Sequence, residues 1–278
     1  MNIILNDKMV SFVGKKLNSK KRYLDAKKVS FVAVFAALSV AVIILLPGIP
    51  IIGLPGARIT LDAAIAPVYG LIIGPYLGSA AALIGGLIVA GYRGWPVFAI
   101  LTSFAPAISA LVAGMLSKKK IKIMNYSISG WKIAALIVFI LTASWYLTWV
   151  GQIAPFYPVI HWAGLIIILI FGRKISVMYE SKDKRKLSFA ILLSSYCGLI
   201  SDHMLGNIIF ILGLGWFIPL QAVESMLSSM NLPGIPELFI FMLPISTIER
   251  LLMTAVATLF GTGLITVLRS SRLMPGEV

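Results

Sequence analysis

The chain has 278 residues, 59% of them hydrophobic and only 12% charged, with a mean hydropathy of +0.97. A soluble domain carries about a quarter of its residues charged, so this composition excludes one and makes lipid the solvent. The formal charge of +14 would suggest nucleic acid as a partner in a soluble protein, but the positions of the charges exclude that reading. Of the 24 Lys and Arg, 21 fall into four groups: before residue 29, at 118–132, at 173–186, and at Arg269 and Arg272. Basic clusters recurring after every second span mark cytoplasmic loops, which predicts a multi-pass plasma-membrane protein with both termini in the cytoplasm. Lipid offers no partner to bare backbone, and the apolar runs are continuous rather than alternating, so an all-α bundle is expected.

Residues 1–28 read as a basic cytosolic tail. The apolar run that follows is too long for the core of a signal peptide and no small-residue cleavage pattern closes it. A single transmembrane domain over 29–268 follows, and 269–278 form a cytosolic tail. About 20 helical residues cross the hydrocarbon core, and on that measure about eight spans are expected. The first covers 29–46 and is followed by a Pro-, Gly- and Ile-rich outer connection over 47–58 that folds back on the outer face. The second covers 60–73. A tight turn at 74–78 leads to a Gly- and Ala-rich third span ending at Gly91, and an outer turn at 92–96 leads to the fourth over 97–116. Residues 131–150 and 159–172 form a hairpin. The seventh span runs from Lys186 past Asp202 toward Leu214, and the eighth from Pro244, a residue suited to a helix's first position, to Leu268. Residues 215–243, with Glu224 and Glu237 but no basic residue, are placed outside as a partly helical, lid-like segment.

Small residues recur every fourth position twice: Ala33, Ala37 and Ala41 in the first span, and Gly78, Ala82, Gly86 and Ala90 in the third. In lipid, close backbone approach across such stripes carries helix packing. The third-span stripe reads as internal packing. The first-span stripe is open to internal packing or to a partner. Trp145, Trp149 and Trp162 read as an aromatic belt. The single Cys197 leaves no intramolecular disulfide and no cysteine-rich metal site, and reads as a small buried residue. No metal and no cofactor are expected.

An ionisable group inside a membrane is costly and marks function or a partner. Arg58, Asp62, Arg93, Asp202, Glu249 and Arg250 are such groups. Asp202 shares a helix face with Gly198 and Gly206, which leave space for a ligand or for another helix; His203 shares one with Asn207, suited to a polar heterocycle or an interhelical contact. Asp62 suits the positive end of a helix dipole. Glu249 and Arg250 fall in the first turns after Pro244, where Arg250 would pair with Asp202 or Asp62 or contact substrate. Arg93 and Trp95 share an outer turn that offers a guanidinium beside an aromatic face, for an anionic ligand or for interfacial anchoring.

The Ala-x-x-x-Ala first helix, the long outer connection, the string TLDAAIAPVYGLIIGPYLG at 60–78 and LPISTIER at 243–250 together resemble the substrate-binding S components of energy-coupling factor (ECF) transporters. The resemblance is clear over 29–116, weaker over 186–268 and absent over 131–172. It implies a six-helix core, to which the 131–172 hairpin is extra. It also implies capture of a vitamin or related micronutrient near the outer surface, with Ala33 and Ala37 facing a T component that works with two ABC-type ATPases. Consistent with that division of labour, the chain has no GxxxxGK[ST] phosphate loop. The alternative is an ion-coupled secondary transporter working alone, with Asp202, His203 and Glu249 handling protons, although the internal repeats and broken central helices common in such folds are not evident. HExxH, GxSxG and paired cysteines are all missing, so no enzyme is expected.

Overall fold

The computed structural model describes residues 26–46, 49–50, 58–59, 61–123 and 126–275. They form eleven helices and two small hairpins. In chain order these are α1 (Ala26–Leu45), β1 (Ile49–Pro50), β2 (Arg58–Ile59), α2 (Asp62–Ile73), α3 (Pro75–Tyr92), α4 (Val97–Thr102), α5 (Phe104–Leu116), β3 (Ile121–Ile123), β4 (Tyr126–Ile128), α6 (Gly130–Trp145), α7 (Trp149–Ile153), α8 (Val159–Tyr179), α9 (Lys184–Gly213), α10 (Leu220–Ser229) and α11 (Ile235–Ser270). Six helical segments are long and apolar enough to cross a membrane: α1, α3, α4 with α5, α8, α9 and α11. The helices α2 and α6 are apolar but shorter, at 12 and 16 residues.

At the centre lies α5, packed on α2, α3, α6 and α9, while α11 closes the bundle against α9 and α2. Small residues make this possible. A side chain on Gly70 of α2 would place its Cβ 1.8 Å from the Ala110 carbonyl of α5, so the two helices meet backbone to backbone, the packing mode favoured in lipid. With only 12 residues, α2 is about 18 Å long, and from Ala64 to Ile73 every residue is buried in protein. Gly74 reverses the chain at φ 88°, a left-handed conformation that a side chain would oppose, and Pro75 opens α3. The α3 stripe packs inward as expected: Gly78, Ala82 and Ala90 are buried.

Three expectations are corrected. The fourth span covers 97–116 as expected, but it breaks at Ser103 into α4 and α5, a broken helix where none was evident. Pro106 has no N–H to pair with the Thr102 carbonyl four residues back, and the Ser103 hydroxyl bonds the Ala99 carbonyl at 2.7 Å. The last long helix starts at Ile235, so Pro244 lies inside it rather than at its first position. Neighbouring helices in a membrane tolerate such an interior proline. Of the segment expected outside, residues 235–243 therefore belong to α11, and 220–229 form the separate helix α10. Thirdly, Trp145 is fully buried rather than part of an interfacial belt. Its helix ends there and α7 folds back beneath it, so that its indole donates to the Ala154 carbonyl at 3.1 Å and stacks on Tyr157 at 4.6 Å between ring centroids. Trp149 is exposed and Trp162 half-buried, donating to the Tyr146 hydroxyl at 2.9 Å.

The basic groups gather at one end of the bundle. Lys119 pairs with Glu180. Arg269 of α11 donates to the carbonyls of Tyr179 at 2.7 Å and Ser181 at 3.4 Å, and Lys27 of α1 to that of Met274 at 3.4 Å. These bonds join the start of α1, the end of α11 and the turns after α5 and α8. Residues 1–25, and with them most of the expected basic tail, lie outside the described residues.

Candidate functional site

Away from the basic end, α1, α2, α3, α4, α5, α9 and α11 enclose a cavity of about 380 Å³. Its wall mixes apolar groups, among them Ile43, Val89, Phe98 and Met253, with Thr102, Ser103, Asp62, Arg93, Asp202, His203, Asn207, Glu249 and Arg250. The break at Ser103 shapes one side, since the Ser103 Cβ abuts Gly86 of α3, where an added Cβ would sit 2.8 Å away.

The charged centre of the wall is a triad across α9 and α11. Arg250 Nη1 donates to Asp202 Oδ2 at 3.4 Å, and Nη2 to Glu249 Oε1 at 2.6 Å. All three side chains are about one-tenth exposed. Asp202 therefore meets the guanidinium that an intramembrane carboxylate requires. The two glycines on its face divide the alternatives between them. An added Cβ at Gly198 would stand 2.7 Å from the Ser109 carbonyl of α5, so that glycine serves helix packing, whereas nothing lies within 4 Å of a Cβ at Gly206, which faces the cavity.

Behind this wall, Asn207 donates to the Tyr157 hydroxyl at 3.0 Å, and that hydroxyl lies 3.3 Å from His203 Nε2. Tyr157 sits in the connection between α7 and α8, and burial pushes its phenol pKa up, so the hydroxyl keeps its proton and can both accept and donate. His203 and Asn207 thus hold an interhelical contact and also border the cavity. Tyr157 was not visible as a participant in the sequence, nor was His161, which stacks on His203 at 5.3 Å between ring centroids and is buried. The only available signal was an aromatic residue beside Pro158 in a turn, which is common to many turns.

The remaining nominated residues divide. Asp62 is the first residue of α2, where its charge suits the helix dipole; the N-cap position is taken by Leu61 and no side-chain cap bond forms. Arg93 closes α3 and lines the cavity mouth, but Trp95 does not join it: its backbone has φ 59° and its ring lies over Gly91. Arg58 lies on β2, and its side chain falls outside the described residues. Ala33 and Ala37 are exposed on α1 and Ala41 is half-buried, while Phe35, Ala36 and Ser39 turn toward the bundle. Cys197 is buried and free.

The described residues thus form an all-helical bundle of membrane-length spans around a polar cavity away from the basic end. A family model described as the S component of ECF-type riboflavin transporters matches residues 23–163, just over half of the chain, and the chain belongs to that family. The match extends through most of the 131–172 hairpin, where no resemblance was evident from the sequence, and stops before the 186–268 region. An uncharacterized protein of Methanocaldococcus jannaschii is 30% identical over 209 residues, covering 73% of this chain and 59% of that protein. The chain thus spans about six-tenths of the length of this curated relative. No solved structure matches it.

Proposed function

We propose that this chain is the membrane-embedded substrate-binding subunit of an ATP-driven ECF-type importer for a vitamin or related micronutrient, with eight crossings and both termini in the cytoplasm. The observation that carries the reading is the cavity: in a chain of this family, the intramembrane charges of three helices converge on one solute-sized space. The gathering of basic groups at the opposite end supports the orientation, because cytoplasmic loops hold the excess of Lys and Arg. The solute enters the cavity from outside, with Asp62, Arg93, Asp202, His203, Asn207, Glu249 and Arg250 as its polar contacts. A T component grips the exposed Ala33 and Ala37 of α1, and two ATPases drive the movement that releases the solute inside.

The test is purification of the tagged chain from its own membrane in mild detergent. A T-like membrane protein and an ATPase pair are expected to co-purify, and Ala37→Trp is expected to abolish their recovery without loss of folded protein. Recovery of a lone protein that accumulates solute in liposomes under an ion gradient overturns the reading.

A further inference from the structure

We propose that the cavity holds the cationic nitrogen of a small organic solute, a protonated amine or amidine, against the carboxylates of Asp202 and Glu249. This names a substrate class for the cavity and rests on its being the substrate site. The first observation is the charge of the triad. Two carboxylates share the single guanidinium of Arg250, all three side chains are nearly buried, and over the whole wall three carboxylates, counting Asp62, stand against two guanidiniums, counting Arg93. A bound cation completes the neutrality that a low-dielectric site demands. An anion seated there would face both carboxylates, and Arg93, the other arginine on the wall, is exposed rather than buried with the triad.

A second observation is independent of side-chain charge. The Ala63 and Thr102 carbonyls would normally accept from the N–H four residues on, but those residues are Pro67 and Pro106, which have none. Both Ala63 and Thr102 line the cavity. Main-chain oxygens released from helical pairing are the groups that coordinate cations in broken transmembrane helices. A protonated nitrogen carries the donors that such oxygens accept. Arg250 Nε, buried and without a hydrogen-bond partner, offers one complementary donor for a carbonyl or hydroxyl on the same solute.

The size of the space separates an organic cation from a metal ion. A cavity of about 380 Å³ is roughly tenfold the share of one water in the liquid, and Ile43, Val89, Phe98 and Met253 give it apolar walls suited to a carbon framework. Among the described residues no group of three or more His, Cys, Asp or Glu could hold a metal ion. Riboflavin, the solute named for the family, is uncharged at neutral pH and would leave the excess carboxylate uncompensated.

The experiment measures the thermal stability of the full-length purified protein in detergent at constant ionic strength. The probes are methylammonium, sodium, acetamide and acetate, fragments small enough to reach the triad whatever the shape of the true solute, together with riboflavin. Methylammonium is expected to stabilise the wild type at millimolar concentration while sodium, acetamide and acetate do not. Its apparent affinity is expected to fall about tenfold or more in Glu249→Gln, the scale of one hydrogen bond to a charged group. Gly206→Phe fills the cavity with the triad intact and is expected to abolish the effect, which keeps the test open where Glu249→Gln fails to fold. No methylammonium effect, an equal effect of sodium, or an unchanged effect in both variants overturns the proposal. Riboflavin binding that Gly206→Phe abolishes, without a methylammonium effect, overturns the cationic class and leaves the cavity as substrate site. Riboflavin binding that survives Gly206→Phe overturns the cavity itself.

Discussion

Replacing Arg250 with Met keeps an unbranched stem but removes the guanidinium, and leaves Asp202 and Glu249 nearly buried without their cation. At 3.4 Å and 2.6 Å, and with an effective permittivity of about 20, each pair has a gross attraction of about 5–6 kcal/mol. Desolvation offsets much of that, so the intact triad adds little net stability. Removing one member is different, because the partners stay buried: breaking a buried pair costs about 3–5 kcal/mol. At about 2–4 °C per kcal/mol for a chain of this size, the expected fall in Tm is on the order of 6–20 °C. The triple variant Asp202→Asn, Glu249→Gln, Arg250→Met carries no charge at the site and is expected to recover at least half of the loss. Thermal unfolding of the detergent-solubilised proteins, followed by tryptophan fluorescence, measures both. A single variant as stable as wild type, or a triple variant no more stable than the single, would refute the view that Arg250 is held by uncompensated charge rather than by packing.

Gly70→Val forces side-chain atoms into the Ala110 carbonyl of α5, and is expected to prevent accumulation of folded protein in the membrane. Gly263→Ala, at a position open on all sides, is expected to be neutral; the amount of each variant that elutes as a single species on size exclusion checks the pair. Trp145→Ala removes a fully buried indole packed on Tyr157 and Phe239, with an expected cost of about 3–5 kcal/mol, read as the shift in Tm. Trp149→Ala, on an exposed residue, is expected to leave Tm within a degree or two of wild type.

The charged part of the cavity was legible in the sequence because charge inside a membrane is expensive. Asp202, Glu249 and Arg250 stand out against apolar surroundings without any knowledge of the fold, and the helical rise from Lys186 already places Asp202 far from the basic end. The identity of its partner followed from the same cost, which left Arg250 few carboxylates to choose from. For Arg93 and Trp95 the sequence leaves two readings open, an anionic ligand and interfacial anchoring, because proximity along the chain says nothing of direction. At φ 59° the backbone turns the Trp95 ring back over Gly91 and away from the cavity. Trp145 was misread for a related reason: an indole near the end of an apolar run suits an interface, and only the fold-back of α7 buries it. The prolines were the hardest to read. Pro244 carries the same helix-starting preference whether it opens a helix or sits inside one, and neighbouring helices decide between the two.

The two ends of the bundle differ in how closely their helices pack. At the basic end the bundle is tied by the Lys119–Glu180 pair and by Arg269 bonded to the turn after α8, and α5, α9 and α11 reach it as regular helices. At the other end, Pro67 sits four residues beyond Ala63, and Pro106 four beyond Thr102, each removing a helical hydrogen bond beside the space that Asp202 and Arg250 border. Regular helices with small residues close up against each other, as α2 and α5 do at Gly70. The break at Ser103 prevents that closure locally, with Ser103 lodged against Gly86 beside the space that the charged triad borders. A cavity formed in this way is a consequence of local backbone chemistry, and its charged triad then selects among the solutes that fit.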